Sequence, residues 1–583
     1  MKKKAISKSM RNCILLLIIT WSAGMASPLE DSRMSRKSSS YPKIGSMWGC
    51  WDITRITDYD LWAKWDLLVA SGPLNDVGAW QKFSRELKAR HPDILLLATG
   101  EMTGMGRHTP WSKEEWLLRR PDGSLVSWWD GQITVPNLMR GDTLDAIVQH
   151  DIEDWDGILK TGIVDGLFFD SVSSPESYGP FDVDGDGKAD NSPEMDRKWM
   201  ERQSLIFDRL RAHWPKALIL ANDIRSTHAM HTNGRFYEGG RILDPLMGDD
   251  VIPEWSVPDP TVVDLGDGPF DVHKVIQTIG AWRGMSLKPW LTSITMSNPQ
   301  GWQEFRIAKI DRATGRNTMT SHGEIERCRR DYPRMRLGLL ISLMADAYYQ
   351  FDFGTVWWGL PWWYAEYDAP LGQPVSDAQE VNAPGGSHWE RKFEGGLALL
   401  NPNHQPVTVK LDQTLRRLSD AEAPRYIVEV DDISSDFSTQ GPWEVRKTNE
   451  RSYGKSWRMN SYRATTEPDS QASWQFTAPS TDTYTVFACL PGGEEFTKSA
   501  FYTLTGNTRV GASVDQQKAD GDWVKLFEAK LSGGKRYAVK VRSGTGTTAA
   551  DAIRVESKAR YNDGARVKEV TLGGLDGIVL LNP

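Results

Sequence analysis

Short apolar runs alternate with longer amphipathic stretches along most of residues 41–375. The apolar runs have the length of buried parallel strands. Stretches such as 79–90 and 195–213 repeat apolar residues at the spacing of helices that cover a sheet. Strands that alternate with helices indicate an α/β fold, and eight such strands are typical of a (β/α)8 TIM barrel. The pattern predicts strands at 44–50, 67–71, 94–100, 164–171, 217–223, 235–238, 289–294 and 347–353.

Two connections differ from those of an ideal barrel. Residues 224–234, between the fifth and sixth strands, are too few for a full helix that returns along the sheet. The connection between the third and fourth strands is long and rich in tryptophan. We expect substrate-binding loops in that connection.

The pattern changes after the barrel domain, which we place at residues 27–380. Short strands with alternating apolar and polar residues predominate in 385–425 and 562–583, and these two pieces predict one small β-sandwich. Residues 427–558 lie between them and predict a second β-sandwich inserted into the first. Loop tips tolerate whole inserted domains when the ends of the insert lie close together.

Residues 1–26 have the features of a bacterial signal peptide. Basic residues precede the short apolar run 13–20, and small residues stand before Ser27, while the run is too short to span a bilayer. The sequence therefore predicts a secreted or periplasmic protein without a membrane anchor. The net charge of −8, which loss of the basic leader makes more negative, argues against nucleic acid as a partner.

The chain has four cysteines, of which Cys13 lies in the leader. Cys50, Cys328 and Cys489 are far apart in the sequence. This spacing excludes a disulfide scaffold and a zinc site, and it favours buried thiols.

Four carboxylates stand where predicted strands three to six end. Glu101 follows the third strand, Asp170 ends the fourth, Asp223 ends the fifth and Glu238 ends the sixth. The carboxyl ends of barrel strands form the active-site face, and like charges gathered there raise each other's pKa values. Glycoside hydrolysis uses two carboxylates, one as nucleophile or base and one as proton donor.

We assign the catalytic pair to Asp170 and Glu238, on strands that we expect to oppose each other with room for a sugar between them. The alternative role for Asp170 is a helix N-cap. Asp223 is the rival of Glu238, and its other role would be a hydrogen bond that orients a neighbour or a substrate hydroxyl. Glu101 is expected to bind substrate or to cap a helix.

The 26 tryptophans exceed what a core usually needs, and many of them occur in pairs. Some belong to the core. Aromatic rings also stack on sugar rings and leave the sugar hydroxyls free to form hydrogen bonds. We expect poly- or oligosaccharide contacts from Trp48, Trp128, Trp129 and Trp358.

An acidic loop follows Asp170 at residues 181–190, with the sequence Phe-Asp-Val-Asp-Gly-Asp-Gly-Lys-Ala-Asp. Alternating carboxylates with a glycine at the sharp turn are typical of calcium loops, although Pro193 stands where an EF-hand carries glutamate. The alternative is a solvated acidic turn. We expect a structural calcium ion held by Asp182, Asp184, Asp186 and Asp190.

The barrel segment resembles a known family. Gly166–Asp170, Tyr237-Glu238 and the run 361–374, Pro-Trp-Trp-Tyr-Ala-Glu-Tyr-Asp-Ala-Pro-Leu-Gly-Gln-Pro, are similar to the hypothetical glycosyl hydrolase family fifteen, which is distinct from the glucoamylases. The resemblance covers roughly residues 41–410. It implies glycosidic-bond hydrolysis, and within its last motif we expect Glu366 to bind substrate.

The insert has a resemblance of its own. Trp443, Trp474, Trp523 and the run Ala-Asp-Ala-Ile-Arg-Val at 550–555 are similar to the sandwich module shared by golvesin and xanthan lyases. This resemblance implies attachment to carbohydrate or matrix. For Trp474 and Trp523 a place in the core is the favoured reading.

These features together favour a secreted glycoside hydrolase. The alternative is a non-catalytic extracellular polysaccharide-binding protein that uses the same tryptophan surface without the carboxylate pair. Metal-dependent hydrolysis is disfavoured because the chain has 10 histidines and no cluster of them at the predicted mouth.

Overall fold

The structure is a computed structural model of the chain. It describes residues 40–50, 53–56, 58–72, 76–101, 105–106, 113–128, 133–170, 172, 179–222, 226–238, 272–297, 332–352, 362–383, 385–403, 405–419, 424–430, 432, 434, 436–447, 461–506, 509–519 and 523–583. The predicted signal peptide, residues 1–26, lies outside this part of the chain.

All eight predicted barrel strands are present, and neighbouring strands pair in parallel in a single sheet. In sheet order they are β1 Gly45–Cys50, β2 Leu67–Ala70, β3 Leu95–Glu101, β7 Gly166–Asp170, β8 Leu218–Asn222, β9 Gly234–Glu238, β10 Ser293–Ser297 and β11 Tyr348–Asp352. This sheet confirms the predicted α/β class. The sheet order follows the chain order, so that the carboxyl ends of all these strands lie at one edge.

The two ends of the parallel sheet are also joined. Ile44, directly before β1, forms a parallel bridge with Tyr349 of β11. The N–H of Tyr349 donates to the carbonyl oxygen of Lys43 at 3.0 Å. The sheet therefore has a backbone contact between its first and last strands.

Helices connect most of these strands. They are α1 Tyr59–Trp62, α2 Val77–Arg90, α3 Gly141–Leu159, α4 Pro193–His213, α5 Val272–Met285 and α6 Tyr332–Ala345. Local sequence explains where two of them begin. Asp76 accepts a hydrogen bond from the N–H of Ala79, and Ser192 caps α4 with a proline at its first position. The short connection between β8 and β9 holds a 3₁₀ turn, Ser226–His231, in place of a full helix, as its length predicted.

A separate apolar cluster lies on one face of the parallel strands. It includes Met47, Leu97, Phe168, Leu220 and Tyr348, one from each of five strands. Side chains alternate between the two faces of a strand, so these positions lie on one face of the sheet, which we call the inward face. Positions two residues further along the same strands share that face.

The strands before and after the predicted insert pair with each other. These strands are β12 Gln379–Ala383, β13 Gly386–Phe393, β14 Gly396–Asn401, β15 Val407–Arg417, β28 Arg566–Leu572 and β29 Asp576–Leu581. They form one six-stranded sheet with the order β12-β13-β14-β29-β15-β28. We call it the C-terminal sheet.

The C-terminal sheet packs on α6 through a buried ion pair. The guanidinium of Arg336 donates from Nε and Nη2 to both carboxylate oxygens of Asp576, each at 3.0 Å. The same guanidinium lies 3.8 Å from the ring centroid of Tyr561. Burial alone would lower the pKa of Arg336, but the attraction of Asp576 outweighs it and raises that pKa above its ordinary value. The pair links a helix of the parallel sheet to the C-terminal sheet.

The inserted segment forms antiparallel sheets around a core of its own. Its strands are β16 Ile427–Val430, β17 Phe437–Gln440, β18 Glu444–Lys447, β19 Ser461–Thr465, β20 Gln471–Thr477, β21 Asp482–Cys489, β22 Ala500–Thr505, β23 Val510–Val514, β24 Trp523–Leu531, β25 Arg536–Arg542, β26 Thr548–Ala550 and β27 Ala552–Ser557. One sheet has the order β16-β27-β21-β24, a second β17-β20-β25-β22-β23, and a third β18-β19-β26. Trp474 is fully buried in the shared core, and Cys489 is a buried free thiol.

Within the described residues, no helix is both long enough and apolar enough to cross a membrane.

Candidate active site

Asp170 is the last residue of β7, at the carboxyl end of the parallel sheet. The strand reads Gly-Leu-Phe-Phe-Asp, with four buried residues before a half-buried carboxylate. Phe168 belongs to the inward cluster, so the alternation of the strand places Asp170 on the inward face as well. The carboxylate thus stands at the rim of the sheet, on the face that carries the apolar cluster.

Glu101 lies beside Asp170 on the neighbouring strand. The two residues are register partners at the ends of β3 and β7. Adjacent strands lie about 4.8 Å apart, so two acidic positions share one stretch of the rim. The prediction that Glu101 stands at the same edge as Asp170 agrees with this register.

Asn222, the last residue of β8, holds the Asp170 carboxylate from the other side. Its Nδ2 donates to Oδ1 of Asp170 at 3.1 Å, and Asn222 is buried. Sequence reasoning assigned no role to Asn222. The sequence feature that could have indicated a role is its position, because Asn222 ends a buried strand one residue before the candidate acid Asp223.

Glu238 is the last residue of β9 and the register partner of Thr295 on β10. The expectation that Asp170 and Glu238 stand on opposed strands is wrong. The order of the sheet follows the order of the chain, and therefore only β8 lies between β7 and β9. Two strand spacings put the backbones of these positions about 10 Å apart.

A buried hydroxyl faces the same part of the rim. Thr295 is fully buried, and its Oγ1 has no hydrogen-bond partner among the described residues. Position 295 shares the inward face with Leu291 and Ser293 of the same segment. Polar atoms therefore extend below the rim on the β9–β10 side.

The tryptophan predictions are placed only in part. Trp48 lies within β1, and Trp128 ends β5 Ser127–Trp128. β5 belongs to a small antiparallel sheet with β4 Met105–Gly106 and β6 Ile133–Thr134, which the long connection after β3 forms. Asp223, Trp129 and Trp358 lie outside the described residues.

Glu366 lies in the short 3₁₀ helix Ala365–Asp368. It is 2% exposed, and its Oε1 accepts a hydrogen bond from Nδ2 of Asn562 at 2.9 Å. Its neighbour Tyr367 packs edge-on against Tyr349, whose ring points away from the inward cluster. Glu366 thus contacts Asn562, which precedes β28, and its predicted contact with substrate stays a prediction.

The acidic loop brings three of its four predicted ligands together. Asp182, Asp184 and Asp190 each offer a carboxylate oxygen, and these oxygens lie within 4.8 Å of one another. Asp186 is not in this group. Its carboxylate instead accepts from the ammonium and the N–H of Lys188, at 2.7 and 2.8 Å.

Backbone hydrogen bonds shape the loop. The N–H groups of Gly185 and Gly187 donate to the two oxygens of Asp182, at 2.6 and 2.8 Å. Burial acts to raise the pKa of Asp182, but these donors, Gly187 first, lower it below its ordinary value. The N–H of Asp182 donates to the carbonyl oxygen of Arg119 at 2.8 Å, which ties the loop to the long connection after β3.

Two segments of the chain match models of known protein families. Residues 76–243 match the model of the hypothetical glycosyl hydrolase family 15. This match includes Glu101, Asp170, Glu238 and the acidic loop. Residues 426–557 match the Golvesin C-terminal domain. Both resemblances predicted from the sequence are confirmed, and the first indicates a carbohydrate-active protein. No curated protein matches the chain.

Among solved structures the chain is similar to carbohydrate-active proteins at low identity. The glycoside hydrolase domain of PelA from Pseudomonas aeruginosa is 11% identical over 47% of this chain and 92% of that domain, with a TM-score of 0.28. An Anoxybacillus α-amylase is 9% identical over 84% of this chain and 89% of the amylase, with a TM-score of 0.33. A Paenibacillus xanthan lyase is 13% identical over 32% of this chain and 26% of the lyase, with a TM-score of 0.22.

Proposed function

We propose that the chain is a secreted glycoside hydrolase that cleaves O-glycosidic bonds of a poly- or oligosaccharide. The parallel sheet would be a closed (β/α)8 barrel, supported by the bridge from Ile44 to Tyr349. The observation that carries the proposal is the carboxylate of Asp170, held at the carboxyl edge of the sheet by Asn222 and flanked in register by Glu101. The family match over residues 76–243 supports the same class of reaction.

In this proposal Asp170 is the nucleophile or base and Glu238 is the proton donor. Their strands are separated by β8 alone, and a backbone spacing of about 10 Å leaves space for a sugar ring between the side chains. Retaining enzymes place the carboxyl groups about 5–5.5 Å apart and inverting enzymes about 6.5–9.5 Å apart. Both carboxylates are needed in either case, so loss of one stops the reaction.

A glycan panel tests the proposed function. The full chain is incubated with neutral and charged polysaccharides, and newly formed reducing ends are measured. The proposal expects release from at least one glycan class. Binding of a glycan without any release would favour the non-catalytic alternative.

Asn222→Ala is expected to lower kcat by about 10- to 100-fold with little change in KM. The substitution removes a hydrogen bond to a charged group, and such a bond contributes about 1.5–3 kcal/mol. Without this bond the carboxylate of Asp170 can turn out of its reactive orientation. The measurement is steady-state kinetics on a glycan that the panel identifies. A rise in KM at unchanged kcat would instead assign Asn222 to substrate binding.

We also propose that Asp182, Asp184 and Asp190 hold a structural calcium ion. Calcium–oxygen distances of about 2.3–2.6 Å put oxygens on opposite sides of the ion about 5 Å apart, which fits the 4.8 Å spread of the three carboxylates. The doubly charged ion would offset two of the three neighbouring carboxylate charges and keep the loop in place beside the long connection after β3.

Calcium at 1 mM is expected to raise the melting temperature of the EDTA-treated protein. Binding to the folded state alone stabilises by about 2.7 kcal/mol at a hundredfold excess over Kd. Asp184→Asn should remove most of this response, because it removes a ligand charge. Asp186→Asn, two residues away and paired with Lys188, is the matched control and should keep the response. Equal responses in both variants would contradict the assignment.

The domain division remains part of the proposal. Residues 27–380 would form the catalytic unit, 385–425 with 562–583 the C-terminal sheet domain, and 427–558 a carbohydrate-binding insert. Secretion would follow from the leader at residues 1–26.

A further inference from the structure

The five-stranded sheet of the insert has one face on the core and one face open to solvent. In β25 the residues Tyr537, Val539 and Val541 are buried in the core of the insert. The alternate positions 538 and 540 therefore lie on the open face. The face belongs to the insert and holds none of the residues proposed for hydrolysis.

Register places polar side chains in rows across this face. Lys540 is paired with Ser473 of β20 on one side and with Thr503 of β22 on the other. The next row joins Gln475, Ala538 and Thr505. Hydroxyl and amide groups thus surround one ammonium group at the centre of the sheet.

An exposed aromatic ring lies beside these rows. Phe501 is 48% exposed, an unusual degree for a large apolar side chain on a sheet face. A Cβ added at Gly511 would come within 3.0 Å of Cζ of Phe501, so the ring lies over the bare backbone of Gly511. The missing side chain at Gly511 leaves room for the ring on the neighbouring strand, where the ring stays exposed.

The charges of the face are uneven. Arg536 is paired with Asp436 at 3.0 Å, and Arg542 is paired with Asp469. Lys540, between these two arginines, has no acidic partner among the described residues. The outward positions of β20 and β22 carry hydroxyl, amide and aromatic groups and no carboxylate. The face therefore carries one ammonium group, that of Lys540, which no described acid neutralises.

The four-stranded sheet of the insert, which contains β24, differs because an acidic residue there pairs with lysines. Glu528 on β24 accepts from Lys525 at 2.8 Å and is also paired with Lys558. Lys530, on the same strand, is exposed, and its register partner on β21 is Thr483. It serves as the comparison for Lys540.

We propose that the open face defined by Ser473, Gln475, Phe501, Thr503 and Lys540 binds a glycan that carries carboxylate groups, such as a polyuronate. Phe501 would stack on a sugar ring, where aromatic contacts are favourable. Lys540 would pair with a uronate carboxylate, and the hydroxyl and amide groups would bind sugar hydroxyls. The ammonium of Lys540 disfavours a cationic glycan, because the nearby acids Asp436 and Asp469 are already paired with arginines. The polar rows disfavour an apolar partner.

Affinity electrophoresis of the full chain tests this site. Mobility is measured in gels with polygalacturonate or alginate and in gels with neutral dextran, in an Asp170→Asn background so that no glycan is consumed. Retardation is expected in the polyuronate gels and not in dextran. Lys540→Ala and Phe501→Ala should each weaken it about tenfold, and Phe501→Tyr should retain it.

Lys530→Ala is the matched control and should leave retardation unchanged. An equal loss in Lys530→Ala and Lys540→Ala would overturn the site, since net charge alone would then explain binding. Absence of retardation in both polyuronates would overturn the ligand class. Because binding is measured without turnover, these outcomes are independent of whether the barrel hydrolyses glycans.

Discussion

Replacing Asp170 with asparagine is expected to lower reducing-sugar release by about 10³-fold or more while glycan binding is retained. The substitution keeps the shape of the side chain and removes the charge that a nucleophile or base requires. The amide of Asn222 can turn to offer its oxygen, so the contact at 3.1 Å between the two side chains need not be lost. The variant should therefore fold normally and fail only in catalysis.

The control for this variant is Asp93→Asn. Asp93 is exposed and stands just before β3, at the amino end of the sheet and away from the proposed mouth. The same chemical change there should leave the rate unchanged. Comparable losses in both variants would point to a general effect of charge and would remove Asp170 from the reaction.

Arg336→Ala is expected to lower the free energy of unfolding by about 3–5 kcal/mol. The substitution leaves the carboxylate of Asp576 buried without its bidentate partner, and an uncompensated buried charge is costly. It also empties the space over the ring of Tyr561. Chemical denaturation monitored by tryptophan fluorescence measures the loss.

A double variant separates the charge from the packing. Arg336→Met with Asp576→Leu removes both charges together and is expected to cost less than either Arg336→Ala or Asp576→Ala alone. Arg417 and Asp563 form a more exposed pair at 3.0 Å in the same region, and Arg417→Ala should cost about 1 kcal/mol or less. Equal losses from the two arginine variants would show that burial of Arg336 is not what stabilises the interface.

The strand order of the parallel sheet was predictable because buried parallel strands are almost continuously apolar. The seventh strand shows the limit of that signal. It was predicted from residue 289, and it begins at Ser293. Pro289 has no N–H for a ladder, and Nδ2 of Asn233 binds the carbonyl oxygens of Leu287 and Pro289 at 3.4 and 3.3 Å. Such a contact between distant segments is not readable from local pattern.

The candidate site was predictable to the same extent. Asp170 stood out because it ends an apolar run, a local feature. The contact of Asn222 was missed because it depends on a tertiary partner, Asp170 on the neighbouring strand. The contact of Glu366 with Asn562, far along the chain, could not be predicted from local pattern either. Asp186 was counted as a ligand from spacing alone, whereas Lys188 occupies its carboxylate.

The most direct test of the central claim compares three proteins on one glycan: the unaltered chain, Asp170→Asn and Glu238→Gln. Reducing ends and glycan binding are measured in parallel, with thermal unfolding as the check on folding. The proposal predicts release by the unaltered chain, loss of release in both variants and retained binding in all three. Unchanged release in the two variants would contradict the assignment of the reaction to this carboxylate pair.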